Sequence, residues 1–457
     1  MRTLSFAGAA ALLAASLVGV ASANEGEIPR GVPELDHVFV IMMENHSYSQ
    51  IVGNPDQPYL NSLINGGKVS YARNYFGVGH PSLTNYLEAV GGSNFGVRSD
   101  NGPNFHSTTC QTNLHSGTPN ADAGTGAPPF VIEQGTVCPI SGFGSDAGTE
   151  AIDSWNEVYP PTPFNFLANI DGVKSVPQKT DVDGKTIADQ IAAAGLSWKT
   201  YQESLPLAGP DDVTYSNGTV TDLTYGALPN LALLPAKPGG YIKAYAAKHN
   251  PFVYFRSVQE GTDPKVSYAQ IAGFDGLYAD LATGHVPAYS FIAPNQCNDQ
   301  HGRSNGDSFC GLDPAPDGTQ YGLNPGLIAQ GDSTIQRLVS SIKNSPAWHD
   351  GHNAIVILWD ENDYSGVAAL NADGSYPATV SVTHPVNGVP TQMTVPAPNN
   401  NVLVTVETNY RKSPNVASNV YYNHFSLLKS IEAGLQLPCL NHACDKDVAV
   451  MSDLFAR

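Results

Sequence analysis

Short, almost unbroken apolar runs alternate with stretches of helical periodicity along this chain. His37–Met43 (HVFVIMM), Phe252–Phe255, Ala288–Ala293 (AYSFIA), Ala354–Trp359 (AIVILW) and Asn401–Val406 have the length and β-branched content of strands buried on both faces. Helical patterns fall between them. Thr186–Ala194 opens on a Thr-x-x-Asp cap and stops at Gly195. The others are Gly240–His249, Tyr268–Thr283, Asp332–Asn344 and His424–Ala433. Gly331-Asp332-Ser333 has the composition of a helix cap. The alternation predicts an α/β fold, a mostly parallel sheet flanked by helices on both faces. Two regions break it. Residues 93–165 are rich in Gly, Ser, Thr, Asn and Pro, and residues 364–400 alternate Val and Thr with polar residues around Asn-Gly and Asp-Gly turns, the pattern of a β-hairpin. Both are expected to be insertions on a single domain covering residues 24–457.

Composition narrows the function classes. The 457 residues carry a net charge of −19 with only 14% charged positions. An acidic surplus of that size repels nucleic acid and anionic membrane, so no nucleic-acid partner is expected. The 44 Gly and 34 Pro imply many turn-rich loops. Residues 1–23 have the form of an export signal: Arg2, an apolar stretch from Leu4 to Val20, then Ala21-Ser22-Ala23 before Asn24. No later apolar run approaches the ~20 residues of a membrane span. The expected location is therefore periplasmic or extracellular, with no transmembrane anchor. Six Cys suit an oxidising compartment, and proximity along the chain suggests pairs 110/138, 297/310 and 439/444 among the 15 connectivities possible.

Candidate chemistry gathers where strands end. His37–Met43 delivers Glu44, Asn45 and His46; Ala354–Trp359 delivers Asp360 and Glu361; Ala288–Ala293 leads to Asn295, Asn298, Asp299 and His301. Ligands in open α/β sheets bind at the carboxyl ends of the strands, so parallel strands would bring these tips to one edge. Two carboxylates at ~4 Å repel by about 4 kcal/mol at an effective dielectric near 20, and three or four together need protons or a cation. Oxygen donors with a few imidazoles suit a divalent metal ion, Zn, Mn, Ca or Mg. Taken singly, a carboxylate just after a strand is more often a turn residue or helix cap than a ligand; the clusters together point to a metal site.

A second feature is His80-Pro81-Ser82-Leu83-Thr84-Asn85-Tyr86, with Gly91-Gly92 after it. Pro81 suits the first turn of a helix and Gly91 its end. Ser82 would then stand at a helix N-terminus, where free N–H groups and the dipole favour an anion such as a phosphoryl group. There it is either a nucleophile activated by a metal or simply the N-cap. His424, at the start of Asn423-His424-Phe425-Ser426-Leu427-Leu428, is structural unless its helix abuts the metal edge.

Taken in order, Val40-Ile41-Met42-Met43-Glu44-Asn45-His46-Ser47, His80–Tyr86, Pro294–His301, Leu358-Trp359-Asp360-Glu361 and Asn423–Leu428 resemble the phosphoesterase family of secreted acid phosphatases and phospholipases C. The resemblance spans roughly residues 36–440 and implies an alkaline-phosphatase-like fold. It implies Glu44, Asn45, Ser82, Asp360 and Glu361 as metal ligands, with Ser82 also the nucleophile that forms a phosphoserine intermediate. Asp299, His301 and His424 match positions lining the phosphate pocket, where they bind oxygens or hold the leaving group. Asn85, three residues after Ser82, would direct its amide at a phosphate oxygen. The phospholipase branch reads Glu-Asn-Arg-Ser-Phe-Asp after its first strand. Here the run is Glu44-Asn45-His46-Ser47-Tyr48-Ser49, which leans towards a phosphate monoester substrate. Alternatives are phospholipase C or another phosphodiesterase, sulfatase or phosphonate chemistry, and a non-catalytic exported binding protein.

Overall fold

The computed structural model describes residues 25–95, 97, 184–205, 245–302, 310–314, 318–362, 379–386, 389–396, 400–412 and 414–456. The expected export signal, the Cys110/Cys138 pair, nearly all of the 93–165 insertion and much of the Gly240–His249 helix lie outside them. Eleven strands are described: β1 (His37–Met43), β2 (Ser70–Phe76), β3 (Trp198–Gln202), β4 (Ile271–Gly273), β5 (Tyr289–Ala293), β6 (Asn353–Trp359), β7 (Thr379–Val386), β8 (Val389–Pro396), β9 (Asn401–Thr408), β10 (Ala417–Ser418) and β11 (Tyr422–Asn423). Nine of them form one sheet in the order β10-β2-β9-β6-β1-β5-β3-β4, with β11 also pairing β2. β7 and β8 form a separate antiparallel hairpin, within the 364–400 stretch where alternation had placed one.

β1 is the centre of the sheet. It runs parallel to β6 from His37↔Asn353 to Met43↔Trp359 and parallel to β5 from Val38↔Tyr289 to Ile41↔Ile292. Val38–Met43 and all seven residues of β6 are buried, so side chains pointing to either face of the sheet are covered. The helices Ser82–Gly91 and His424–Gly434 pack together, as do Pro58–Asn65 and Pro325–Asn344. Fold class is thus α/β with a mostly parallel sheet, as the alternation implied.

Several expected elements differ. Phe252–Phe255 is not a strand: Phe252, Val253 and Tyr254 belong to a 3₁₀ helix, Pro251–Tyr254, and Phe255 follows it. A four-residue apolar run carries no decisive period, and Pro251 at its start favours a helical turn. Its Phe252 still enters the core, with ring centroids 4.6 Å from Trp198 and 5.9 Å from Phe291. Tyr268–Thr283 is split: Ile271–Gly273 becomes edge strand β4 beside β3, and the helix proper is Phe274–Thr283. Asn401–Val406 does form a strand, but β9 is antiparallel to both β2 and β6. The helix around Asp332 begins at Pro325, with the Asn324 side chain accepting from Gly326 N and Leu327 N. Asp332 lies inside that helix and instead caps its neighbour, accepting from Tyr59 N at 2.7 Å and Leu60 N at 2.9 Å. Disulfides join Cys297 to Cys310 and Cys439 to Cys444. No helix among the described residues is long and apolar enough to cross a membrane.

One buried acid lies away from all this. Glu432 is 0% exposed in the His424–Gly434 helix, and burial pushes its carboxyl well above the ordinary value, only partly offset by the Leu440 N–H and Lys429. A carboxyl with a raised folded pKa binds more protons folded than unfolded, so its stability contribution is full in acid and is lost as pH rises through the folded pKa. Glu432→Gln is neutral at every pH. Its melting temperature should exceed that of the parent protein by roughly 2 °C at pH 8 and match it near pH 4; a gap that opens only in acid would reverse the assignment.

Candidate active site

Backbone hydrogen bonds fix the tips of the three central strands to one another. Asp360 N donates to Met43 O at 3.0 Å, and Glu44 N donates to Asp299 O at 2.9 Å. Glu44, following β1, is therefore flanked by the residues that follow β6 and β5. Asn45 N donates to Asp360 Oδ1 at 3.1 Å. Asn45 has φ +58°, a left-handed conformation that Asn adopts more readily than most residues and that turns the chain at the strand end. Beside Asp360 the approach is close: a Cβ on Gly77 would stand 2.7 Å from Asp360 O and 2.8 Å from the Asn400 amide, so glycine is required there.

Ser82 meets this edge from above. It is the first residue of the wholly buried helix Ser82–Gly91, with Pro81 at the N-cap position. Its hydroxyl therefore does not cap. Ser82 Oγ lies 3.1 Å from Glu44 Oε2 and 3.1 Å from Glu361 Oε1. Glu361 also accepts from Asn85 Nδ2 at 3.0 Å on Oε2. The Asn85 amide is otherwise held by the preceding loop: its oxygen accepts from Val78 N and Gly79 N, and its nitrogen donates to Gly79 O. In the structure Asn85 thus braces Glu361 and the 77–79 loop.

Asp299 and His301 come to the same edge. Asp299 Oδ1 accepts from His301 N at 2.7 Å, and His301 Nε2 lies 3.1 Å from Lys248 Nζ. His424 is nearby but is committed on both ring nitrogens, Nδ1 to the Tyr75 hydroxyl at 2.8 Å and Nε2 to the Asp360 backbone carbonyl. Burial pushes its imidazole down to about 4. His424 is therefore a neutral strut under Asp360 at ordinary pH.

Three neighbours have no assigned role in the sequence reading. His249 stands with Nε2 3.1 Å from Glu44 Oε1 and Nδ1 3.1 Å from Asp299 Oδ2, its ring stacked on Tyr86 at 5.2 Å. His80, quoted only as part of its motif, has Nδ1 2.7 Å from Glu361 Oε2 and Nε2 3.1 Å from Asn362 Oδ1. Lys248 is the cation that moderates Glu44, Asp360 and Asp299. Its sequence signal was weak, because Lys248 and His249 end a helical pattern and precede Asn250-Pro251, which reads as a simple break.

The electrostatics are those of crowded, dry acids. Glu44, Asp299 and Asp360 are fully buried and Glu361 is nearly so. Burial first, then the charge of Asp360, holds the Glu44 carboxyl well above its usual value. Burial and then Glu361 do the same to Asp360, and burial and then Glu44 to Asp299. Asp360 Oδ2 is buried with no hydrogen-bond partner. Ligand atoms of Glu44, His249 and His301 also lie within 4.8 Å of one another. An orphaned carboxylate oxygen among four buried acids and two imidazoles is a donor set that fits a divalent cation.

This chain belongs to the Phosphoesterase family, whose profile matches residues 54–310 and 321–438. Among curated relatives, the acid phosphatase of Aspergillus fumigatus is 24% identical over 58% of this chain and 36% of its own length. The chain thus spans about a third of that relative. The phosphatidylinositol-3-phosphatase of Mycobacterium tuberculosis is 24% identical over 78% of this chain and 73% of its own length. A phosphonate monoester hydrolase of Agrobacterium radiobacter aligns in structure over 92% of this chain and 77% of its own, at 10% identity and a TM-score of 0.41.

If the acids await a cation, removing one charge relieves the chelated protein. In EDTA, Glu44→Gln and Asp360→Asn should melt above the parent; added Mn(II) or Zn(II) should then raise the parent's melting temperature and raise the variants' less. A parent indifferent to metal and more stable than both variants in EDTA would contradict a cation site.

Proposed function

We propose that this chain is an exported, metal-dependent phosphoesterase that hydrolyses phosphate monoesters through a phosphoserine intermediate on Ser82. One observation carries the reading: a buried hydroxyl at the first position of a helix, 3.1 Å from each of two carboxylates that end adjacent parallel strands. A hydroxyl with no capping duty, between two carboxylates and at the positive end of a helix dipole, suits attack on an anionic phosphorus centre. Family membership and two relatives named as phosphatases support the same reaction class. Two disulfides support export.

Glu44, Asp360 and Glu361, with Asn45 and Ser82, are the residues that would hold the cation, which when bound supplies the positive charge that favours an alkoxide over a hydroxyl. The rest is the work of the chain. Ser82 Oγ loses its proton to a neighbouring carboxylate and bonds to phosphorus as the phosphorus–oxygen bond to the alcohol breaks. The alcohol departs with a proton. Water then attacks the same phosphorus, the Oγ–P bond breaks, and Ser82 regains its hydrogen. Helix N–H groups at Ser82 face the equatorial oxygens. Asp299 and His301 line the β5 side, where the departing oxygen would be met; Asn85 acts by holding Glu361 beside Ser82.

The test is an ester panel of p-nitrophenyl phosphate, bis-p-nitrophenyl phosphate and phosphatidylcholine, run before and after chelation with metal add-back. Turnover of the monoester that chelation abolishes and metal restores is expected. Ser82→Ala should keep the fold and less than about a tenth of the activity. A variant above that level removes Ser82 as nucleophile, and a preference for either diester moves the chain to the phospholipase or phosphodiesterase reading.

A further inference from the structure

The hydrogen bonds of His301 determine where the positive charge lies on the β5 side of the site. Nδ1 is 2.7 Å from the Gly302 carbonyl oxygen, and Nε2 is 3.1 Å from Lys248 Nζ. A carbonyl oxygen only accepts, so Nδ1 carries the ring proton; an ammonium only donates, so Nε2 offers its lone pair. The ring is thus a neutral acceptor, fixed through its own backbone N–H on Asp299 Oδ1 at 2.7 Å. The cation beside it is Lys248.

The chain holds Lys248 close to Ser82. Lys248 stands in the short 3₁₀ turn Ala247–His249, which packs against the Ser82–Gly91 helix. The next residue, His249, is buried with its ring stacked on Tyr86 of that helix. Lys248 itself is partly exposed, so it lies at the border between the dry acids and solvent. Its charge offsets those of Glu44, Asp299 and Asp360, which places it over the acidic row.

We propose that Lys248 binds the phosphoryl group directly, its ammonium contacting a phosphate oxygen from the β5 side while His301 Nε2 holds the ammonium in place. The inference rests on the phosphoesterase reading of the preceding subsection and names a further substrate-binding residue for it. An ammonium is a compact charge with three rotatable donors, and His301 takes one of them. A phosphate oxygen is a strong acceptor for such a donor. The competing role is that of a counter-ion, which keeps the acids together and never touches substrate. Such a charge acts on phosphate only through its field, which salt screens; a direct contact survives salt.

The experiment titrates inorganic phosphate into the full chain with saturating Mn(II), by calorimetry, at low salt and again at about 1 M KCl, where the screening length is about 3 Å. Lys248→Met should weaken phosphate binding by about 10- to 100-fold at both salt concentrations. Mn(II) affinity, measured separately, should hold or rise, because a like charge has left the acids. Lys248→Arg should recover part of the phosphate affinity and Lys248→Gln little. His301→Phe, which removes the acceptor of the ammonium, should shift phosphate binding in the same direction by less. A phosphate affinity in Lys248→Met within about threefold of the parent, or a loss that disappears at about 1 M KCl, would overturn the contact. Should Lys248→Met fail to fold, the arginine and glutamine variants decide, and equal phosphate affinity in those two overturns it. A parent that binds no inorganic phosphate overturns this inference; one that also leaves p-nitrophenyl phosphate intact overturns the phosphoesterase reading with it.

Discussion

Everything chemical in this molecule depends on three parallel strands ending at one level. The β1–β6 register runs without a break from His37↔Asn353 to Met43↔Trp359, so Glu44 and Asp360 cannot avoid being neighbours. Glu44 N on Asp299 O fixes the third acid in the same row. A single-residue slip would turn every side chain of a strand to its opposite face and carry Glu44 out of line with Asp360. The core thus holds together charges that would separate if free, and the repulsion is stored until protons or a cation neutralise it. Burial makes that storage effective: at low dielectric the acids cannot be screened by water.

The Ser82–Gly91 helix answers this acidic row with the one feature it lacks. Its N-terminus carries the partial positive charge of the helix dipole, and its first residue bears a hydroxyl. Every residue of the helix is buried, and it packs on the His424–Gly434 helix, whose own first residue supports Asp360 from below through its backbone carbonyl. Two helix beginnings therefore converge on the strand ends. One presents a buried hydroxyl, the other a neutral imidazole that burial has stripped of its proton-carrying range.

Legibility in the sequence followed the strength of the local signal. β1, β5 and β6 were readable because each is a mainly apolar run that leads into acids or amides within two residues, and β1 has the boundaries its pattern implied. β2 and β3 were missed: Ser70–Phe76 holds Arg73 and Asn74, and Trp198–Gln202 holds Lys199 and Gln202, so neither reads as apolar. Direction was not legible at all, since an apolar period is the same whichever way a strand runs, and β9 proved antiparallel. At the site, Glu44, Ser82, Asp360 and Glu361 announced themselves by position after a strand or before a helix. His249 could not, because its partners Glu44 and Asp299 are 205 and 50 residues away and only the sheet brings them together. His80 was in plain view beside Ser82, yet nothing short of the fold shows that its ring meets Glu361 rather than solvent. Asp332 had the composition of a cap and is one, for a helix more than 270 residues earlier in the chain.

Under the proposed function, the sign of the protein's charge constrains how such a site would take a phosphate. With a net −19, the long-range field opposes an approaching dianion. Attraction must therefore be local and must exceed the repulsion of four buried acids. The resources at hand are few: the N–H groups at Ser82, and Lys248, which already moderates three of the carboxylates. Neither is equal to four carboxylates. A divalent cation among them would convert the same acids from an obstacle into a socket, because oxygens that repel a phosphate when bare are the ligands that fix a positive centre to receive it. Under the proposed function, the acidic cluster and an anionic substrate become compatible once a cation neutralises the acids, and Ser82 Oγ lies between Glu44 and Glu361, two of the groups that would hold it.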